Sequence, residues 1–411
     1  MTGGWPKRQR AWFWTVLAVF WAAGFQFALS HGNRDFHRTD GATEQMLLHA
    51  ADTYARDGFL KNHLLPEYPA FGFDENGLSR DRPFVYTHYF PGPAWMLGLI
   101  VKFFGKDAIW VSRLIPLSLN VFGLGFLGLE FAAFTGSCAL ACLLMTLLAF
   151  ARGLTIFSIS LAGHGYVMGI YLVMFAMLFR YANRPRETSP SSARWALFFG
   201  AAVGFLQIWF SIDFVPVTFL SAAAMICMTP RIPWNKGRNV LTGIFLGGCL
   251  GMALQLTLFS LHLGSVAQAI HDFRQWGSWR MGISHFQNEA VDDQRLSRVL
   301  HEYNRQSYGA TGFTGVNLLA LTFTFLLLGF LGKVKDRAES LRGFGGLALA
   351  LLGAIAWNVM CRQHSLAHTH FLPRHYMALY VIFLLTALPI SYELVRRARA
   401  SAGKSSASLN Y

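Results

Sequence analysis

Pro91-Gly92-Pro93-Ala94-Trp95-Met96-Leu97-Gly98-Leu99-Ile100-Val101-Lys102-Phe103-Phe104 is the stretch on which the topology of the chain turns. It is apolar, but it falls short of the ~20 residues a helix needs to cross a hydrocarbon core of ~30 Å. It opens on Pro91-Gly92-Pro93 and carries Lys102, which suits an interfacial or re-entrant helix better than a span. Outward from it, ten candidate spans follow: Ala11 to Leu29, Ala108 to Glu130, Gly136 to Ala151, His164 to Ala182, Trp195 to Ser211, Phe214 to Thr229, Asn239 to Leu263, Gly312 to Leu331, Gly343 to Met360 and Leu372 to Tyr392. Leaving the stretch out of the count puts Lys7/Arg8/Arg10, Arg184/Arg186/Arg194, Arg231/Lys236/Arg238, Lys333/Lys335/Arg337/Arg342 and Arg396/Arg397/Arg399/Lys404 on one side. Counting it in strands the first cluster opposite the others. Lys and Arg are retained on the cytoplasmic side, so the stretch is read as not crossing.

Composition agrees with that class. The chain is 54% hydrophobic and 15% aromatic but only 14% charged, too apolar for a soluble core of this size. The net charge of +14 sits mostly in loops flanking apolar runs, where it sets orientation, and no basic stripe with interleaved aromatics points to nucleic acid. Cys138, Cys142, Cys227, Cys249 and Cys361 lie in or beside apolar runs and offer no disulfide framework. The expected fold is an all-α polytopic membrane protein with about ten transmembrane helices plus juxtamembrane helices in the first outer loop.

The acidic residues are distributed unevenly. Asp35, Asp40, Glu44, Asp52, Asp57, Glu67, Asp74, Glu75, Asp81 and Asp107 all fall between the first span and the second. The expected organisation is residues 1–30 as N-terminus and uncleaved first span, 31–107 as an outer catalytic loop, 108–263 as spans and 264–311 as a second outer loop. Residues 312–392 follow as spans with an outer His-rich hairpin at 361–371, and 393–411 form a cytoplasmic tail, disordered over Ala398 to Ser408. On this topology the histidines sit in outer loops or near outer span ends, which puts the chemistry at the outer water interface. The expected location is a plasma (bacterial inner) membrane, with the site facing the periplasm or exterior.

The first loop runs Phe36-His37-Arg38-Thr39-Asp40-Gly41-Ala42-Thr43-Glu44 into a helix-compatible stretch, then Tyr86-Thr87-His88-Tyr89-Phe90-Pro91-Gly92-Pro93-Ala94-Trp95, then Trp110-Val111-Ser112-Arg113-Leu114-Ile115-Pro116. This order of landmarks resembles membrane glycosyltransferases of the C-type fold, in the branch of the protein O-mannosyltransferases and aminoarabinose transferases. There an acidic residue opens the first outer loop, a Pro-Pro-x-x-x-Trp-like motif opens a juxtamembrane helix, and an Arg-Leu-Pro-like motif begins the next span. The likeness covers Met1 to about Phe131 and is architectural beyond that. It implies a polyprenyl-phosphate sugar donor, a lipid, polysaccharide or protein acceptor, and transfer with inversion. The family often has a Lys beside the paired prolines, whereas this chain has Thr87-His88-Tyr89-Phe90-Pro91.

Moving a sugar from a lipid phosphate to a hydroxyl needs a base for the incoming proton and stabilisation of charge on the departing phosphate. Asp40 is the candidate base and Glu44, one turn on, the second choice; Asp40 also suits an N-cap. Arg82, His88, Tyr89, Arg362, Arg374 and His375 are the candidates for substrate or phosphate binding, although basic residues at span ends also serve as snorkelling anchors. His364, His368 and His370 have spacing that suits a divalent metal ion, beside readings as a wet histidine turn or a direct phosphate contact. Asp213 suits a turn or N-cap, or a substrate contact. The alternative function is a transporter or flippase for a lipid-linked or small polar substrate, which favours repeated halves and ionisable residues at mid-membrane. A polysaccharide polymerase or ligase, distinguished by a lipid diphosphate donor, is a third reading.

Overall fold

The computed structural model describes residues 4–31, 41–68, 84–85, 91–185, 189–281, 296–331, 345–346, 348–349, 352–353, 360–361 and 372–408. Among the described residues, six helices are long and apolar enough to cross a membrane: α1 (Lys7–His31), α4 (Ile109–Thr135), α7 (Gly163–Asn183), α8 (Pro190–Phe210), α10 (Trp234–Leu263) and α14 (Leu372–Ser408). The protein is therefore a multi-pass α-helical membrane protein. Between these run α2 (Gly41–Asp57), α3 (Gly92–Phe104), α5 (Cys138–Ala149), α6 (Arg152–Phe157), α9 (Phe214–Met228), α11 (Val266–Arg280), α12 (Leu296–Thr311) and α13 (Gly315–Leu331). A two-residue pairing of β1 (Glu67–Tyr68) with β2 (Phe84–Val85) lies in the first loop.

Among the described residues, nine of the ten expected spans correspond to these six long helices and three shorter ones, α5, α9 and α13, of 12, 15 and 17 residues. The Gly343 to Met360 candidate lies mostly outside the described residues. α5 and α9 fall within about two residues of the expected Gly136 to Ala151 and Phe214 to Thr229; the short α6 follows α5 past the expected end at Ala151, and the turn at Ser211 to Asp213 separates α8 from α9. The expected disorder of Ala398 to Ser408 is corrected as well: α14 continues through it to Ser408. Ala and Arg are strong helix formers, and Arg396 pairs with Glu393 one turn back at 2.8 Å.

Helix contacts explain how the long elements stack. Pro116 inside α4 has a carbonyl that accepts from Asn120 Nδ2 at 2.8 Å, and the same amide reaches Gly165 O on α7 at 2.7 Å, a cross-link made from polar atoms in an apolar bundle. The α8–α10 pair is closer still. A Cβ at Gly204 would collide with the Ile244 carbonyl, and one at Gly247 with the Ala201 carbonyl. Small residues at such sites let helix backbones approach in a solvent that gives no hydrophobic drive for association. Cys138, Cys142, Cys227, Cys249 and Cys361 form no disulfide with one another.

Both ends of α3 lie at one end of the bundle. Gly92, at its start, abuts the Trp209 carbonyl at the C-terminus of α8. Its far end passes through Lys106–Ala108 into the first turn of α4, and Lys106 pairs with Asp52 of α2. The stretch quoted at the outset is therefore a helix that does not cross. It packs on α2 through Leu47, Ala50, Ala51 and Tyr54 against Ala94, Leu97 and Val101, and the two form a cap on the bundle. Leu64 O ties the cap together, accepting from Tyr54 Oη at 2.9 Å and Trp95 Nε1 at 2.7 Å. Burial pushes the Tyr54 phenol well above its ordinary pKa, so it remains a neutral donor.

Candidate functional site at the capped end

Glu44 lies in the first turn of α2 and is fully enclosed, with its partner Arg113 of α4 only 1 % exposed. Arg113 Nη2 donates to Glu44 Oε2 at 2.9 Å and Nη1 to Oε1 at 3.2 Å, a bidentate pairing. The remaining capacity of the carboxylate is used on the segment before α7: Leu161 N–H donates to Oε1 at 3.0 Å and Ser160 Oγ at 3.3 Å. Arg113 Nη1 also donates to Ile159 O at 3.1 Å. One carboxylate thus joins the loop helix, the second long helix and the entry to α7. A sealed, ion-paired carboxylate is poorly placed to take a proton from a substrate, so its geometry is that of a positioning group.

The entry to α7 is fixed by close approach. A Cβ at Gly163 would strike the Phe210 carbonyl, and one at Gly165 the Phe157 carbonyl, so glycines flank the buried His164 where two chain segments press in. The His164 ring lies 5.4 Å from that of Phe157. Just beyond Phe210, Ser211 Oγ donates to Asp213 Oδ1, and Asp213 Oδ2 lies 3.1 Å from His375 Nε2 on α14. Asp213 stands at the N-cap position of α9 yet makes no side-chain cap bond. Its carboxylate faces His375 instead, and both side chains are buried. The imidazole stacks on Phe214 with centroids 6.0 Å apart.

Two polar clusters thus bracket the start of α7: Glu44–Arg113–Ser160 on the cap side, and Ser211–Asp213–His375 toward the last helix. Trp95 of α3 meets Trp209 edge-on at 5.0 Å beside them. The N-termini of α2, α3, α7, α9 and α14 therefore converge at this end of the bundle. Each carries partial positive charge, so an anion held among them is stabilised. The second loop reaches the same place. Burial pushes the Cys361 thiol up to about 11, with Arg280 at the end of α11 lowering it and Asp213 raising it. Arg280 itself is buried and lies 3.3 Å over the Trp276 ring.

Of the residues singled out in the sequence, Glu44 and His375 are brought to this end with their side chains described. Arg374 lies on α14, and its side chain is outside the described residues, as are Asp40, Arg82, His88, Tyr89, Arg362, His364, His368 and His370. Among the described residues no group of three His, Cys, Asp or Glu side chains is placed to hold a metal ion. In the sequence Arg113 stands out only as part of a landmark, and Asp213 suits a turn or N-cap, or a substrate contact. The ion pair of Arg113 and Asp213's contact with His375 become visible only when helices distant in sequence are packed. Comparison with protein families, with curated proteins and with solved structures finds no match to the chain.

Proposed function

We propose that the protein is a glycosyltransferase that moves a sugar from a polyprenyl-phosphate donor to a lipid, polysaccharide or protein hydroxyl on the outer face of the membrane. The observation that carries this reading is the convergence of five helix N-termini and two buried polar clusters at one end of an apolar bundle, beneath the acidic first loop. A lipid-linked phosphate would meet positive dipole ends there while its chain stayed among the apolar helices. Asp40, immediately before α2, is the base for the acceptor hydroxyl. The Glu44–Arg113 pair holds that helix in place against the bundle. Arg82, His88, Tyr89, Arg362, Arg374 and His375 are the groups proposed to meet the substrate or the departing phosphate, with His364, His368 and His370 as the trio that would take a divalent ion.

Turnover supplies the test. Purified protein in lipid nanodiscs is expected to release sugar from synthetic polyprenyl-phosphate hexoses or pentoses to an acceptor, or slowly to water. Chelation followed by divalent-ion add-back decides whether the histidine trio takes part. Protein that released no sugar from any such donor, yet moved a labelled lipid or solute across liposomes, would be a transporter.

A further inference from the structure

Three buried tyrosines, Tyr181, Tyr303 and Tyr376, have hydroxyls with no hydrogen-bond partner among the described residues. This is more telling for a phenol than for the unpaired Ser112 and Thr218 hydroxyls, which lie close enough to their own helix to turn onto a carbonyl one turn back. A phenol hydroxyl stands too far from its own backbone for that, so its partner must come from elsewhere. Leaving such a group unsatisfied in the interior costs about 1–3 kcal/mol, and a persistent orphan calls for a water or a ligand. Tyr181 lies near the opposite end of the bundle, under Lys236. Tyr303 and Tyr376 touch each other, with rings perpendicular and centroids 4.4 Å apart.

The pair is held from several sides. Tyr376, fully buried, is the residue after His375 on α14, and Tyr303 of α12 is only 4 % exposed. The Tyr303 ring presses on Gly315, where any Cβ would collide with it. The neighbouring Asn304 accepts from Val316 N–H at 3.0 Å, which fixes α12 to the start of α13. Two neutral hydroxyls, each able to donate and to accept, are thereby pre-organised beside the proposed transfer site at the junction of the second loop with the last helix. Donor-and-acceptor hydroxyls match those of a sugar ring, whereas a bare phosphate offers only acceptors.

We propose that the hydroxyls of Tyr303 and Tyr376 form a saccharide-binding point between α12 and α14, which rests on the transferase reading and assigns its sugar subsite. The sugar is that of the donor or that of a glycan acceptor, and the two are separated by the probes. Full-length protein in nanodiscs is titrated with a short-chain polyprenyl phosphate, with the same lipid bearing a panel of hexoses and pentoses, and with soluble oligosaccharides. The quantity read is the affinity for the sugar-bearing lipid divided by that for the bare lipid within each variant, so that any loss of folded protein cancels.

Tyr303→Phe and Tyr376→Phe are each expected to lower that ratio roughly three- to tenfold, the loss of one hydrogen bond, while the melting temperature holds or rises because an orphan has been removed. A fall confined to the oligosaccharide arm assigns the pair to the acceptor. Tyr181→Phe serves as the control and should change neither. If the ratio and oligosaccharide binding are unchanged in both variants, or fall equally in Tyr181→Phe, the proposal is overturned; the same holds if wild type gains nothing from any sugar. Wild-type protein that bound neither bare nor sugar-bearing lipid would refute the transferase reading instead, and the oligosaccharide arm would then decide the tyrosine pair alone.

Discussion

Glu44 and Arg113 stabilise the capped end only as a pair. Each has been taken out of water, and that penalty is offset by two parallel hydrogen bonds and by the groups around them. Arg113→Ala leaves a buried carboxylate without its counter-ion and should cost about 3–5 kcal/mol. Glu44→Gln combined with Arg113→Met should cost less than Arg113→Ala, because no charge remains to be compensated; unfolding in detergent by denaturant titration checks the order, and a double variant worse than the single would sink the reading. Asp40→Asn keeps size and capping ability but removes the base. Transfer should fall at least about 100-fold with expression and carrier binding retained, and near-normal turnover would make Asp40 structural. Some of this was legible in the sequence. Glu44 stands out because it follows Asp40 by one turn, and His375 because it is a basic residue at a span end. Their partners were not legible, since nothing local connects Glu44 with Arg113 or Asp213 with His375; packing chooses such pairs.

The α8–α10 contact is an element held by what is missing from its side chains. Gly204→Val places branched carbons where the Ile244 backbone already stands. It should destabilise by at least about 1–3 kcal/mol, the usual cost of overpacking. Gly277 of α11 has open space around it, so Gly277→Ala should be neutral or stabilising by about 0.5–1 kcal/mol through helix propensity. Thermal unfolding of both variants side by side tests whether close approach, rather than glycine itself, is what matters; equal losses would refute it. Apolar runs located the long helices well because span length and polarity are local properties. The six-residue α6 is too short to register as an apolar run, and its place depends on what it packs against.

For the whole molecule, the described basic clusters and the cap lie at opposite ends of the bundle. The start of α1 reaches the end of α4, where Phe13 lies beside Gly128, and Lys236 at the start of α10 donates to Arg184 O at 3.4 Å. With Lys and Arg retained inside, cysteines at Asn76 and Asn288, in a background stripped of native thiols, should react with an impermeant reagent from outside, while one at Ser191 should not. Labelling of Ser191 with protection of Asn76 would invert the molecule. The 37 residues of α14 have a further consequence. Such a helix runs about 55 Å, well past a hydrocarbon core of ~30 Å, and its excess carries Arg396, Arg397, Arg399 and Lys404. Basic residues are drawn to anionic headgroups, so a helix of this length should work as a keel, the depth of His375 and Tyr376 beneath the opposite surface following bilayer thickness; thinner or thicker lipids should then retune the site without touching it.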